Sequence, residues 1–473
     1  MAETEYQDLL ILLNNSVDIT GGRLTIKDES QLRKRITKLV EHCVYTTGKS
    51  QALGRYLIRL IAQEYGANPA SINDLYLARG RGEIPTTFTV PAINLRALSY
   101  DAARAVFRAA QAIDAGAFIF EIARSEMGYT DQRPAEYVSN VLGAAIAEGY
   151  KGPVFIQGDH FQVSAKRYAA NSDMEVQVLR DLIKEAIAAG FFNIDIDSST
   201  LVDLAQKTVP EQQKVNTSLT AMFTAYVRSL QPEGVTISIG GEIGEVGGQN
   251  STEEELRAYM DGYLADLAKI DPKTVGISKI SIQTGTSHGG VVLPDGTIKE
   301  VSVDFDTLLH LSRVARKDYG LGGAVQHGAS TLPESAFHKF VEAEAVEVHL
   351  ATNFQNMMFD RLPEGLRNEM YHYLDEKFGS ERKPGITDEQ FYYKQRKNAI
   401  GPFKIKTWQM GETERHSIGN AWEEQFSKLF HLLGIKDTRK YIKQTIKQVI
   451  IEPHRKDYTG EAEVGEEVSD LAD

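Results

Sequence analysis

Eight short β-prone runs, separated by amphipathic helical stretches, fill the middle of this chain and leave it few folds to adopt. The runs are residues 87–95, 117–122, 154–158, 192–197, 235–240, 277–283, 323–326 and 345–350. Strands that alternate with helices predict parallel βαβ units. Eight such units within residues 86–360 predict a closed (β/α)8 TIM barrel over an open doubly wound sheet, although strand count alone does not decide closure. The stretches between the strands carry helix signals. Ser172 followed by Glu175 reads as a capping box ahead of Val178, Leu179, Leu182, Ile183 and Ile187, with Gly190 as the stop. Ser251 with Glu254 repeats the device ahead of Leu256, Tyr259, Met260 and Tyr263.

The flanks have a different texture. Residues 1–85 read as a helical N-terminal extension. Leu32, Ile36, Leu39, Val40 and Cys43 recur at helical steps, and Tyr56, Leu57, Leu60 and Ile61 form a second stripe that ends near Gly66. The loop at residues 79–85 marks the boundary with the barrel. Residues 361–452 are helical again and are expected to wrap the barrel or build a subunit contact. Residues 453–473 are expected to be disordered, since residues 457–473 hold seven acidic side chains and no Lys or Arg. Net charge is −13, and without that tail about −6 remains, so nucleic-acid binding has no electrostatic support. The single cysteine, Cys43, excludes an internal disulfide and a cysteine-rich zinc cluster and reads as a buried thiol. No run approaches a membrane span, and the N-terminus lacks the basic region of a signal peptide. A cytoplasmic enzyme fits these features.

Polar groups gather at the predicted strand ends. The third strand ends Gln157-Gly-Asp159-His160, the fourth Asp195-Ile-Asp197-Ser-Ser199, and the fifth Gly241-Glu242-Ile-Gly244. The sixth ends Gly285-Thr-Ser-His288-Gly289 and the seventh Gln326-His327-Gly328-Ala-Ser330. A TIM barrel carries its active site at the C-terminal ends of its strands. His160, His288 and His327 therefore converge on one mouth, and three imidazoles with an open fourth position make a catalytic site for Zn2+ or another divalent metal. Of the eleven histidines, His42, His310, His338, His372, His416, His431 and His454 fall in helical or surface contexts instead. Asp159 is either a helix cap or a general acid–base group beside the metal. Asp197 and Glu242 are either partners of the ligating imidazoles, alternative ligands, or caps. Gly289, Gly328 and Ser330 leave backbone N–H groups bare near helix starts, an arrangement that can hold a phosphate. Residues 247–250, Gly-Gly-Gln-Asn, read as a loop over the mouth.

These residues, in this order, resemble the class II fructose-bisphosphate aldolase family over roughly residues 86–360. Val90-Pro-Ala-Ile-Asn94 is similar to the family's first strand and Gly158-Asp159-His160 to its catalytic aspartate and first metal histidine. Ile196-Asp197-Ser-Ser199, Gly241-Glu242-Ile-Gly244 with the glycines at 247 and 248, Gly285-Thr-Ser-His288-Gly289, and His327-Gly328-Ala-Ser330-Thr-Leu-Pro333 match the later segments. The resemblance implies a metal on His160, His288 and His327 that stabilises the enediolate left by cleaving a phosphorylated ketose, fructose 1,6-bisphosphate first. It implies that Asp159 moves the hydroxyl proton, and that Gly289, Gly328, Ser330 and Thr352 hold the phosphate beside a monovalent cation. It also implies a homodimer or larger homo-oligomer and a place in carbohydrate metabolism such as glycolysis, with Asn94 and Asn353 near the substrate.

Three departures qualify this. His349 stands where the family carries an Asn for the ketose, and Asn353 where it carries an acid. His349 thus reads as a further polar group of the pocket or as a residue buried between the barrel and the C-terminal helices. The family's loop glutamate has no counterpart beyond Glu253, Glu254 or Glu255. The flanking helical regions exceed the minimal enzyme. Two other readings therefore stand beside the leading one: the same aldol chemistry on a different ketose or sugar phosphate, and a non-catalytic barrel subunit that stabilises a partner. Metal content separates the last from the first two.

Overall fold

The computed structural model describes residues 3–244, 249–285, 293, 303–329 and 332–459. The eight predicted runs all form strands. They are β4 (Val90–Asn94), β5 (Ile119–Ala123), β6 (Gly152–Gln162), β7 (Asn193–Asp197), β8 (Ser238–Glu242), β9 (Lys279–Ile282), β10 (Ala324–Gln326) and β11 (Glu347–Leu350). Each pairs in parallel with the next, and β11 pairs with β4, so the sheet closes into an eight-stranded barrel. Helices Ser99–Ala112, Pro134–Glu148, Ser172–Ala189, Val209–Leu230, Glu253–Ile270 and Phe305–Tyr319 lie between the strands and cover the barrel wall. The fold is a (β/α)8 TIM barrel with additions at both ends.

Two helix starts differ from the sequence reading by one residue. Asn171, not Ser172, caps its helix, accepting from Met174 N, while Glu175 is drawn away to Arg124 and to the backbone N–H of Ser164. The second capping box is Thr252 with Glu255 rather than Ser251 with Glu254. Both shifts follow from the cap position needing an extended backbone, which Asn171 and Thr252 adopt.

The N-terminal extension is not purely helical. Alongside helices Glu29–Tyr45 and Gly48–Tyr65 it contains a hairpin of β1 (Val17–Thr20) and β2 (Arg23–Ile26) and the strand β3 (Ala67–Ala70). β3 is hydrogen-bonded in parallel to the first residues of β6, Gly152–Phe155, and so joins the barrel's own sheet. Cys43 is buried on helix Glu29–Tyr45, as expected. At the other end, helix Glu412–Leu432 lies along helix Ser99–Ala112, and the Trp422 indole donates to Phe354 O at 3.0 Å. Of the tail expected to be disordered from residue 453, residues 453–459 are ordered instead, with Lys456–Thr459 forming a helical turn against the extension, and residues 460–473 lie outside the described residues. No helix among the described residues is long and apolar enough to cross a membrane.

Strand register decides what the barrel encloses. Residues paired across a parallel sheet point to the same face, and the pairings place Asn94, Glu121, Gln157, Asp159, Asn193, Asp195, Glu242, Lys279, Ser281, Glu347 and His349 on one face, the interior. The usual interior of this fold is branched and apolar; here it is largely polar. Gly240 is the gap that lets this layer assemble. A Cβ at that position would stand 2.3 Å from Asp195 Oδ1 and 2.9 Å from Lys279 Cε. Gly240→Ala should therefore lower stability by about 1–3 kcal/mol, the usual range for overpacking, read as a lower urea midpoint at unchanged m-value.

Candidate active site

The mouth is organised by a break in β6. Pairing with β7 slips between Gly158 and Phe161, a β-bulge, and His160 takes a left-handed backbone with φ of 38°. A bulge turns a side chain that strict alternation would send outward, and a non-glycine residue in this region is a strained position of the kind found at functional sites. Gly158 makes the turn possible, because a Cβ there would lie 2.3 Å from the Phe161 ring. Asp159 and His160 consequently both face the interior. The helix-cap reading of Asp159 does not hold: Ser164 caps the following helix, and Asp159 is 4% exposed within the strand.

Around these two residues the structure gathers His327 and His349. His160 Nε2 and His327 Nδ1 face one another at 3.0 Å, and the His327 ring centroid lies 4.2 Å from that of His160 and 4.0 Å from that of His349. The outward nitrogens are held by oxygen. His160 Nδ1 is 3.1 Å from Asp197 Oδ2, and His327 Nε2 is 2.9 Å from Ser281 Oγ and 3.4 Å from Glu242 Oε2. This is how ligating imidazoles are oriented, one nitrogen tied to an oxygen and the other turned toward its neighbour across the mouth. Two ligands at zinc's usual distance lie about 3.3 Å apart, close to the observed 3.0 Å. The donor set therefore fits a borderline divalent metal. A second overlapping group, Asp159, His327 and His349, also has its donor atoms within 4.8 Å of one another. His288, Gly289 and Ser330, with the glycines at 247 and 248, lie outside the described residues.

Asp197 and Glu242 thus stand beside the imidazoles as sequence reading allowed, with Asp197 also accepting from Gln162 Nε2 and from Ser199. His349 is in the pocket, not between the barrel and the C-terminal helices. Its Nδ1 is 3.1 Å from Asp159 Oδ1 and from Glu121 Oε1, and its Nε2 is 2.6 Å from Glu347 Oε1. Asn94 donates its amide to Asp159 Oδ2 and to Glu126 Oε2, both at 2.9 Å, while its own Oδ1 is buried with no partner among the described residues. Thr352 opens helix Thr352–Arg361 and lies 3.5 Å from Arg96. Gly328 follows His327 with φ of 68°, and Asn353 is half-buried in the first helical turn. Of the acids proposed to replace the loop glutamate, Glu253 is engaged by Arg257 and His310 and Glu255 by the capping box, while Glu254 is exposed on the first turn of helix Glu253–Ile270.

Burial and charge set the protonation of this cluster. Burial opposes the ionised form of Asp159, but His160 and His349 outweigh it and hold its carboxyl well below the ordinary range. Burial likewise works against a charged His160, yet Asp159 and Asp197 raise it to about 10 in the metal-free chain. Glu242 is pushed up to about 8, by burial first and then by the charge of Asp197. The imidazoles around Asp159 therefore favour its ionised form.

Below the mouth lies a layer that strand ends alone did not reveal. The fully buried Lys279 donates to Gln157 Oε1 at 2.8 Å, to Asp195 Oδ2 at 2.9 Å and to Glu347 Oε1. Gln157 in turn donates to Glu121 and Glu347. The available signal was a charged residue at alternate positions inside an apolar strand, as in Ile277-Ser-Lys279-Ile-Ser281 and Ile119-Phe-Glu121-Ile.

Comparison with known proteins agrees with this architecture. No curated protein sequence matches the chain. A probable tagatose 6-phosphate kinase from Sinorhizobium meliloti 1021 is similar in structure, with a TM-score of 0.54 and 13% identity, covering 74% of this chain and 100% of that one. The fructuronate–tagaturonate epimerase UxaE from Cohnella laeviribosi has a TM-score of 0.51 and 12% identity over 89% of this chain and 90% of its own. A fructose-bisphosphate aldolase from Campylobacter jejuni is 17% identical over 77% of this chain and 93% of that one, with a TM-score of 0.44. The model of one family, described as fructose-bisphosphate aldolase class-II, matches residues 85–408. That span takes in every barrel strand together with Asp159, His160 and His327, and by it the chain belongs to the class II fructose-bisphosphate aldolase family.

Proposed function

We propose that this chain is a metal-dependent lyase that cleaves and re-forms a carbon–carbon bond of a phosphorylated ketose, with Asp159 as its acid–base group. The observation that carries the reading is the buried Asp159 carboxyl beside the facing nitrogens of His160 and His327. A divalent metal on His160 and His327, with His288 as the third imidazole of the family pattern, would supply Lewis-acid polarisation of the ketose carbonyl. Asp159 takes the proton from the hydroxyl on the carbon beyond the breaking bond, the bonding pair passes to the carbonyl-bearing half, and the hydroxyl carbon leaves as an aldehyde. In the reverse direction Asp159 returns the proton. Asn94 fixes Asp159 Oδ2, and its Oδ1, which has no partner among the described residues, is an acceptor for a substrate hydroxyl. The N-terminus of helix Thr352–Arg361 beside Arg96 suits an anionic group of the ketose.

A second reading is epimerisation of a ketose at the same carbon, in which the aldehyde half turns its other face before the bond re-forms. The extent of the UxaE match favours it, since 89% of this chain reaches well beyond the barrel into both helical additions. One experiment separates the two. Zinc-loaded protein is incubated with phosphorylated ketoses, unphosphorylated ketoses and ketouronates, following aldehyde release by a coupled dehydrogenase and stereochemistry by 13C NMR. Aldehyde release supports cleavage, and inversion without release supports epimerisation. A chain that holds no zinc and turns over none of these fits the non-catalytic subunit instead.

A further inference from the structure

The N-terminal extension closes the bottom of the barrel and reaches the site from beneath. Its strand β3 is in register with the start of β6. The segment after it is held by the first residues of two other strands: Asn193 donates to Ala70 O and accepts from Ile72 N, and Ser71 Oγ accepts from Ser238 N. Helix Asn73–Gly80 then runs under the barrel, where Arg79 donates to Phe88 O at 2.6 Å and to the carbonyls of Glu344 and Ala345 at 3.0 Å. This places the fully buried Tyr76 with its hydroxyl donating to Glu347 Oε2.

Glu347 links that floor to the mouth. His349 is two residues further along the same strand and on the same face. Its Nε2 is 2.6 Å from Glu347 Oε1, the oxygen that Gln157 and Lys279 also reach, and its Nδ1 is 3.1 Å from Asp159 Oδ1. A carboxylate with donors on one oxygen alone can turn about its last bond, whereas donors on both oxygens fix its plane. Among the described residues Tyr76 supplies the hydrogen bond on Oε2.

We propose that Tyr76 is a positioning residue of the active site. Its hydroxyl fixes the plane of Glu347, which holds His349 by Nε2–H and so aims Nδ1 at Asp159. The catalytic consequence rests on the aldol reading above; the positioning itself does not. The N-terminal extension is then part of the site's supporting shell.

The test uses the zinc-loaded full chain with 15N-labelled histidine, and His349→Gln assigns the His349 ring signals. In Tyr76→Phe, which keeps the ring and its packing, the His349 signals should shift while those of His42, His372 and His454 stay in place. Glu347→Gln should move the same signals, and Tyr76→Phe should add nothing to them in a Glu347→Gln background, the non-additivity expected of residues acting through one another. With a ketose that the wild type turns over, Tyr76→Phe should lower kcat about tenfold, as for removal of a supporting partner, with KM unchanged. Unmoved His349 signals in folded Tyr76→Phe would overturn the proposal. Should that variant not fold, unmoved signals in Glu347→Gln would do so. If the wild type turns over no ketose while the His349 signals respond as described, the aldol reading fails and the positioning stands.

Discussion

Asp159→Asn is expected to lower kcat by about 10^2–10^4-fold, the range of general acid–base catalysis, while leaving zinc content at its wild-type level. The substitution preserves shape and can still accept the Asn94 amide that reaches Oδ2 at 2.9 Å. What it removes is the negative charge, and with it the ability to take a hydroxyl proton. The neighbourhood shows that this charge is in place before substrate arrives. Burial opposes the ionised carboxyl, and the imidazoles of His160 and His349 outweigh it. Metal analysis alongside single-turnover kinetics checks both halves of the expectation. The overlapping group of Asp159, His327 and His349 makes the metal measurement decisive. If zinc is lost together with activity, Asp159 is a ligand and the division of labour proposed above is wrong. If turnover stays within tenfold of wild type, the base lies elsewhere. His327→Ala provides the contrast, because it should lose both metal and turnover.

The strand-end polar groups are legible in the sequence because Gly158-Asp159-His160 and His327-Gly328 interrupt apolar runs. That His160 faces inward only through a bulge is not legible, since Asp159 and His160 are consecutive and strict alternation would turn them to opposite faces. Glu121, Lys279 and Glu347 escaped for a different reason. They lie in mid-strand, where the reading looked for apolar character and not for its period-two interruption. The hairpin at Val17–Ile26 was also legible, with alternating Val17, Ile19, Leu24 and Ile26 about Gly21-Gly22, but was absorbed into its helical surroundings. Tyr76 was beyond reach. Nothing local marks a tyrosine on a short helix as the partner of a carboxylate 271 residues away.

The mid-strand layer carries the largest stability effect we expect: Lys279→Met should destabilise the chain by about 3–5 kcal/mol, the cost of leaving buried charges without their partner. Lys279 is fully buried and held above the ordinary lysine range, burial opposing its charge and Asp195 and Glu347 outweighing burial. The two carboxyls respond in opposite directions. Asp195 is raised from 3.8 to about 6, by burial first and with Lys279 opposing the rise. Glu347 is lowered from 4.5 to about 2, Lys279 and His349 overcoming burial. In the wild type, the favourable contribution of Asp195 is complete below its unfolded value and is lost as pH rises through about 6. That of Glu347 is present above its unfolded value and is lost as pH falls through about 2. Removing Lys279 takes away the group that lowers both carboxyls, so each should ionise at higher pH in the folded variant. The deficit of Lys279→Met relative to wild type should therefore be greatest at neutral pH and shrink between pH 7.5 and 5, as the orphaned carboxyls take up protons. Urea midpoints across that range test the sign as well as the size. A deficit independent of pH would mean that lost packing, not unpaired charge, is the cost. Asp195→Asn in the Lys279→Met background should recover part of it, because the amide fills the same space without a charge to bury.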